Sequence, residues 1–223
     1  MTPEPLVLIG ASGLGREVAA TVAAVNARES RWDLLGYLDD DPALEGTRIG
    51  DHRVLGPISE ASAYPNARLV LCVASPRSPG ARRRLALAAA PSERYATIVH
   101  PSATLDGHTT LGPGTMVLSG VVATTDVAVG AHCVLMPHVT LTHDDVLRDH
   151  VVCAAAVSLA GGVTVGDSSY LGTGCRIREG VRVGARTTIG MGAVVLEDVP
   201  QGEIWVGVPA RPLHRRMAMG EGA

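Results

Sequence analysis

The chain has 223 residues, 46% of them hydrophobic and 18% charged, with a formal net charge of -3. That length and balance fit one large or two ordinary soluble domains, and the lack of a basic excess argues against nucleic acid as a partner. Aromatic content is only 3% with no Phe, while Gly reaches 26, which suits a core of thin stacked layers better than a bulky helix-on-sheet core.

No basic leader precedes an apolar run with a cleavage site, and no apolar stretch approaches the roughly 18 residues of a membrane span. The expected compartment is the cytoplasm, without a membrane partner. Cys133, Cys153 and Cys175 fall on core positions of a repeat and Cys72 lies in an apolar run. All four read as small buried hydrophobes, and no Cys pair has zinc spacing.

In chain order, Leu6–Gly10 reads as a short strand, Ala11–Gly15 as a Gly-rich turn, and Arg16 to about Ala27 as a helix. Backbone amides at such a helix start favour an anion. The spacing G-x-x-G-x-G departs from the dinucleotide fingerprint, so the turn serves either a ligand or plain strand-to-helix packing. A second strand, Leu34–Leu38, ends at Asp39-Asp40-Asp41-Pro42. Carboxylates at the C-terminal end of a parallel strand face the ligand crevice and can accept from ribose hydroxyls; the alternative is a solvated acidic turn. Leu69–Ala74 reads as a buried third strand and Ser78–Ala90 as the following helix, stopped by Pro91. Residues 1–94 thus form a small Rossmann-like βαβ unit, too short for a full six-stranded dinucleotide fold.

Residues 95–223 carry the repeat and a tail that ends in a basic segment, Arg215-Arg216. From Val99 to Val195 an aliphatic or small apolar residue returns at every sixth position without insertion, and the fourth residue after each is nearly always small. Asp145 is the one charged exception in that second column. A period of six matches neither a helix nor a lone strand and belongs to parallel β-helices, in which residues 18 apart stack in about five triangular coils. No low-complexity linker precedes the repeat, so the two units should pack closely.

Of eight histidines, His108, His132, His138 and His150 occupy the fourth place of their hexads and read as exposed corner residues. His143 differs, because Asp144 and Asp145 follow it immediately. A carboxylate beside an imidazole fixes its tautomer and raises its basicity, making a general base. The alternative is that the two Asp only cap a corner. The 18-residue register puts His143 over Thr125 and Gly161, with open space on the Gly161-Gly162 side. No GxSxG, HExxH or P-loop occurs. A base that deprotonates an amine or hydroxyl attacking an activated acyl group is then the economical mechanism.

Six segments, in order and at family spacing, resemble the hexapeptide-repeat acyltransferases of the bacterial sialic acid O-acetyltransferase and UDP-amino-sugar (bacillosamine-type) N-acetyltransferase family. They are Ile9-Gly10-Ala11-Ser12-Gly13, Gly36-Tyr37-Leu38-Asp39-Asp40, His100-Pro101-Ser102-Ala103, Thr142-His143-Asp144, Val194-Val195 and Gly207-Val208-Pro209-Ala210-Arg211. The resemblance implies a left-handed parallel β-helix, a homotrimer with active sites between subunits, and acetyl-CoA as donor without a metal. It implies His143 as base with Asp144 beside it, and a sugar nucleotide against Ser12, Gly13, Leu14, Asp39, Asp40 and Ala74. It also implies donor contacts at Val152, Thr173 and Met191.

Three positions depart from the family. Val152 stands where a second histidine often contacts the donor, which opens the site to a different acyl chain; Asp145 replaces a small residue; and Leu14 replaces a histidine found in some relatives. The expected activity is CoA-dependent acyl transfer to an amino or hydroxyl group of a nucleotide-linked sugar. The rivals are a non-catalytic scaffold or sugar-nucleotide sensor and an NAD-dependent reductase.

Overall fold

A strand buried on both faces must be apolar along its whole length, and Leu6, Val7, Leu8 and Ile9 are all fully buried. They form most of β1 (Glu4–Ile9), an inner strand of a five-stranded sheet. The computed structural model describes residues 2–74 and 80–213. The other strands of this sheet are β2 (Trp32–Leu38), β3 (Arg48–Ile49), β4 (His52–Gly56) and β5 (Arg68–Leu71), in the order β3-β4-β2-β1-β5. All neighbours pair in parallel except β3 with β4.

The run expected as a third strand is therefore the fifth, and it ends at Leu71 rather than Ala74. The two extra strands escaped detection because β3 is two residues long and β4, His-Arg-Val-Leu-Gly, follows it after only Gly50-Asp51. Helix α1 (Gly13–Asn26) begins earlier than expected, inside the Gly-rich turn. Helix α2 spans Ala81–Ala89; Ser78, where it was expected to start, and the basic segment Arg215-Arg216 lie outside the described residues.

From Ile98 onward the hexads fold as a left-handed β-helix of two-residue strands joined by tight corners. Each strand pairs in parallel with the one 18 residues later, as in Val122↔Thr140 and Val134↔Val152. Three faces result. The first runs from Ile98–Val99 through Val152–Cys153 to Thr188–Ile189 and is extended by Ile204–Val206 and Arg211–Pro212. The second runs from Thr104–Leu105 through Thr140–Leu141 to Val194–Val195, and the third from Thr110–Leu111 through Val146–Leu147 to Arg182–Val183. The sixth-position residues and the small residues four further on fill the interior.

The fourth place of the hexad recurrently takes a left-handed conformation: Asp126, His132, His138, Asp144, His150, Ala156, Ser168 and Arg186 all have φ between 52° and 62° or at 63° for Asp144. Glycine supplies the same turn at Gly114, Gly120, Gly162, Gly174, Gly180 and Gly192.

What points outward from each strand decides what covers it. On the second face the outward residues include Thr104, Thr140, Ser158 and Arg176, which suit solvent. On the first face Ile98, Met116, Val134 and Val152 are buried in one cluster with Leu6, Leu8, Leu14 and Val18 of the N-terminal unit, and Tyr170 packs against it. The sheet also runs straight into the solenoid, since Tyr95 bridges Leu69 and the Ala96 amide donates to Leu69 O.

The polar clasp of this joint is Arg82, nine-tenths buried or more, whose guanidinium donates to the carbonyls of Leu71, Val73 and His132. Burial lowers it only to about 10, so it stays charged at neutral pH. Against this joint His132 stacks on His150 at 5.1 Å and meets the edge of Tyr95 at 4.6 Å. His132 is thus buried and His150 half-buried, contrary to the expectation of exposed corners, because α2 and Tyr95 cover that corner. Burial first, then the His150 and Arg82 charges, push His132 down to about 4.

Replacing Arg82 by Met keeps the aliphatic stem but strands three carbonyls. Since a buried unsatisfied group costs about 1–3 kcal/mol, Arg82→Met should lower the urea midpoint by the equivalent of about 3 kcal/mol. An unchanged midpoint would mean that apolar packing alone holds the joint.

Candidate active site at a solenoid corner

His143 and Asp144 sit in the turn between the second face (Thr140–Leu141) and the third (Val146–Leu147). The left-handed conformation of Asp144, φ 63°, bends the chain there, a conformation Asp tolerates better than most residues. Its Oδ2 lies 2.8 Å from His143 Nδ1. With the carboxylate accepting from Nδ1–H, the Nε2 atom holds the lone pair and is the group able to take a proton. The side chains are 64% and 69% exposed, so an incoming molecule has access.

The imidazole is set on a glycine floor. A Cβ on Gly161 would come within 2.2 Å of His143 Cε1 and 2.3 Å of Nε2. The space expected beside His143 on the Gly161 side is therefore filled by its own ring. The turn is held to the coils on either side: Asp144 N donates to Thr125 O, and Gly162 N donates to His143 O. Asp145, next in sequence, is fully buried and accepts from the Thr142 and Val163 amides at 2.8 Å each.

The residues expected at a nucleotide site gather at the C-terminal ends of β1, β2 and β5. Gly10 turns with φ 104°, where a Cβ would meet Cys72 O at 2.9 Å, and a Cβ on Gly15 would meet Gly10 O at 2.3 Å. Ser12 and Gly13 are exposed at the start of α1, whose first-turn amides have no acceptor within the helix. The Leu14 side chain instead points into the core, so only its backbone can face a ligand. Asp39 accepts from Ala11 N at 2.7 Å and from Asp41 N at 3.0 Å, and Asp40 accepts from Ile58 N at 2.9 Å. Both acids are thus part of the loop framework and are neither fully free nor a purely solvated turn. Ala74 is half-buried and lies apart from these acids, across β1, in a cleft it shares with Val152 and Tyr170.

Thr173 and Met191 stack 18 residues apart on the corner between the first and second faces, where Gly192 N donates to Thr173 O. Thr173 is exposed and Met191 is 81% exposed, so backbone and side chain are open to a ligand there. This corner and the His143 corner flank the second face. Val152 does not join them: it is 5% exposed, because it fills the apolar joint under the N-terminal unit.

The N-terminal unit covers the first face, and His143 stands at the opposite vertex of the triangle, between the second and third faces. The Gly-rich turn and the imidazole of one chain therefore lie on different sides of the solenoid. Among the described residues no group of three or more His, Cys, Asp and Glu could hold a metal ion, and no helix is long and apolar enough to cross a membrane. The 18-residue register in the sequence already sets Gly161 under His143; that the ring itself occupies the space above it is what the structure adds.

No protein-family model matches this sequence, and no curated protein matches it. Solved structures do. The acetyltransferase domain of PglB from Neisseria gonorrhoeae FA1090, in complex with acetyl coenzyme A, is 26% identical with a TM-score of 0.84, covering 95% of this chain and 100% of that one. PerB from Caulobacter crescentus, in complex with CoA and GDP-perosamine, is 28% identical with a TM-score of 0.81, covering 94% and 97%. WeeI from Acinetobacter baumannii AYE, at 20% identity, a TM-score of 0.67 and 93% and 99% coverage, shares the fold.

The glycine floor can be tested alone. Gly161 lies outside the left-handed region, so Ala is conformationally allowed there, and the exposed ring above it can swing aside. Gly161→Ala should melt within a few degrees of the parent yet lose about a hundredfold in turnover, the order expected for a 1 Å displacement of a reacting group. Parental turnover would show that the observed ring position is unimportant.

Proposed function

We propose that the chain is a hexapeptide-repeat sugar acyltransferase that moves an acetyl group from acetyl-CoA to an amino group of a nucleotide-linked sugar, with His143 as general base. The observation that carries this reading is the Nδ1–Asp144 hydrogen bond, which leaves Nε2 as the proton acceptor on an accessible corner. Nε2 takes the proton from the acceptor nitrogen as that nitrogen bonds to the acyl carbon. The carbon–sulfur bond breaks, and the imidazolium returns the proton to the departing thiolate. Asp144 holds the tautomer and stabilises the imidazolium; the amine is favoured over a hydroxyl because PerB was captured with an amino-sugar nucleotide.

The donor is assigned to the second face, between the His143 corner and the Thr173–Met191 corner, where Ser158 and Arg176 point outward and Arg176 is exposed. The acceptor's nucleotide is assigned to Ser12, Gly13, the Leu14 backbone, Asp39, Asp40 and Ala74, making residues 1–94 the sugar-nucleotide unit and 95–223 the acyl-transfer unit. The N-terminal unit covers the first face of its own chain while His143 stands at the opposite vertex, which supports a homotrimer whose His143 serves the nucleotide unit of a neighbour.

His143→Ala should keep the assembly state by light scattering and lose about 10²–10⁴ of kcat, with a smaller loss for Asp144→Asn. Turnover is followed by thiol release against UDP-, dTDP-, CMP- and GDP-linked amino sugars. Full turnover in His143→Ala overturns the base assignment. In a thermal-shift assay at 100 times Kd, acetyl-CoA should stabilise by about 2.7 kcal/mol and NAD not at all; the reverse result would favour the reductase reading.

A further inference from the structure

The coil that carries His143 is hydrogen-bonded differently from the others. From His100 to Gly190, the amide just after each sixth-position residue donates to the carbonyl of the next coil, as in Thr124 N to Leu141 O, Arg148 N to Val165 O and Ala160 N to Ile177 O. At the His143 coil the corresponding amide, Thr142 N, donates instead to Asp145 Oδ2 at 2.8 Å, and Leu159 O is left to the Thr142 hydroxyl at 3.2 Å. The strand pairing records the break: Thr140 pairs with Ser158 but the Leu141–Leu159 pair is lost, whereas the coils on either side keep both pairs. A second amide is diverted as well. Val139, Val157, Cys175 and Val181 each donate to a carbonyl three residues back, but Val163 N donates to Asp145 Oδ1 at 2.8 Å, in the way Cys133 N and Thr187 N donate to Thr115 Oγ1 and Ser169 Oγ one coil before them; the Thr142 diversion has no such counterpart among the described residues.

Taking His143 as the base proposed above, we propose that Asp145 is a positioning residue. Its buried carboxylate takes the Thr142 and Val163 amides out of the regular ladder, and this sets the turn that lays the imidazole over Gly161.

Elsewhere on this corner the equivalent position holds Thr109, Val127, Val163 or Val181, so no other coil places a charge there. Asp145 is a costly replacement. Burial pushes it up to about 6 from 3.8, outweighing the two amide bonds and His143, which draw it down; Asp144 repels it, and the thiol of Cys153 lies close enough to feel its charge. A folded pKa above the unfolded one means that the folded chain binds the proton more tightly. Stability therefore falls as pH rises from about 3.8 to about 6, and the penalty is complete above about 6. A residue that destabilises the coil at neutral pH and sits next to the base fits a site kept for activity at a cost in stability.

Asp145→Val is the direct test, because both diverted amides then have the carbonyl acceptors that the other coils use. At pH 7.5 it should keep the assembly state, melt at or above the parent by a few degrees, and lose about tenfold to a hundredfold in kcat with KM for acetyl-CoA unchanged. The melting gain should disappear by pH 4. Asp145→Thr, which can still accept from Val163 N, should lie between parent and Val. The imidazole resonances of His143, assigned by their loss in His143→Gln, should shift in Asp145→Val. Unshifted resonances overturn the proposal whatever the turnover, as does an activity loss that tracks a lower melting temperature. Full turnover in His143→Gln would strike the base assignment alone, since the resonances report the pose of the ring independently.

Discussion

Closure of an 18-residue coil by backbone hydrogen bonds is the constraint from which the rest of this molecule follows. Each two-residue strand is too short to stand alone and is held only by its neighbours above and below, as in Ala128 between Thr110 and Val146. From Gly114 to Gly192 every corner is closed by a left-handed residue, and that demand falls on whatever side chain the fourth place carries. Most often the chain answers with glycine, histidine or aspartate. Asp144 is one of these forced turns, so the carboxylate that orients His143 is also the residue that bends the backbone.

The repeat was legible because burial in a solenoid is strictly periodic. Leu135, Leu141 and Cys153 all reach full burial at the expected spacing. The N-terminal unit was less legible: β3 and β4 are short and polar, and their pairing is set by β2 rather than by any pattern of their own. The exposure of the corner histidines was misjudged for a related reason. Hexad position says where a side chain leaves the coil but not what else covers it, and His132 and His150 are covered by α2 and Tyr95. Val152 carries the same lesson, since its outward position is that of Thr140 or Arg176 and only the docked unit makes it core.

The candidate site is built from departures within this regularity. His143 was singled out by the charge next to it, but the sequence did not reveal that the two acids do opposite things. Asp144 faces solvent and the imidazole; Asp145 faces inward and holds backbone amides. Two adjacent carboxylates on a turn necessarily diverge when one residue is left-handed, and this divergence separates chemistry from positioning. Read as a pair of corner caps, they would have been half understood.

The arrangement of the two units carries the last step. A triangular solenoid has a vertex opposite every face, and the apolar outward residues Ile98, Met116, Val134 and Val152 commit the first face to the N-terminal unit. Whatever binds at the Gly-rich turn is then on the far side from His143 of the same chain. Arg82 and the continuous passage from Leu69 to Tyr95 fix that relation, because a charged clasp and a shared sheet leave little freedom for the unit to swing around the prism. A second copy can bring an imidazole to the nucleotide without any such motion. The rigidity that separates the half-sites within a chain is thus what would make their alignment between chains reproducible.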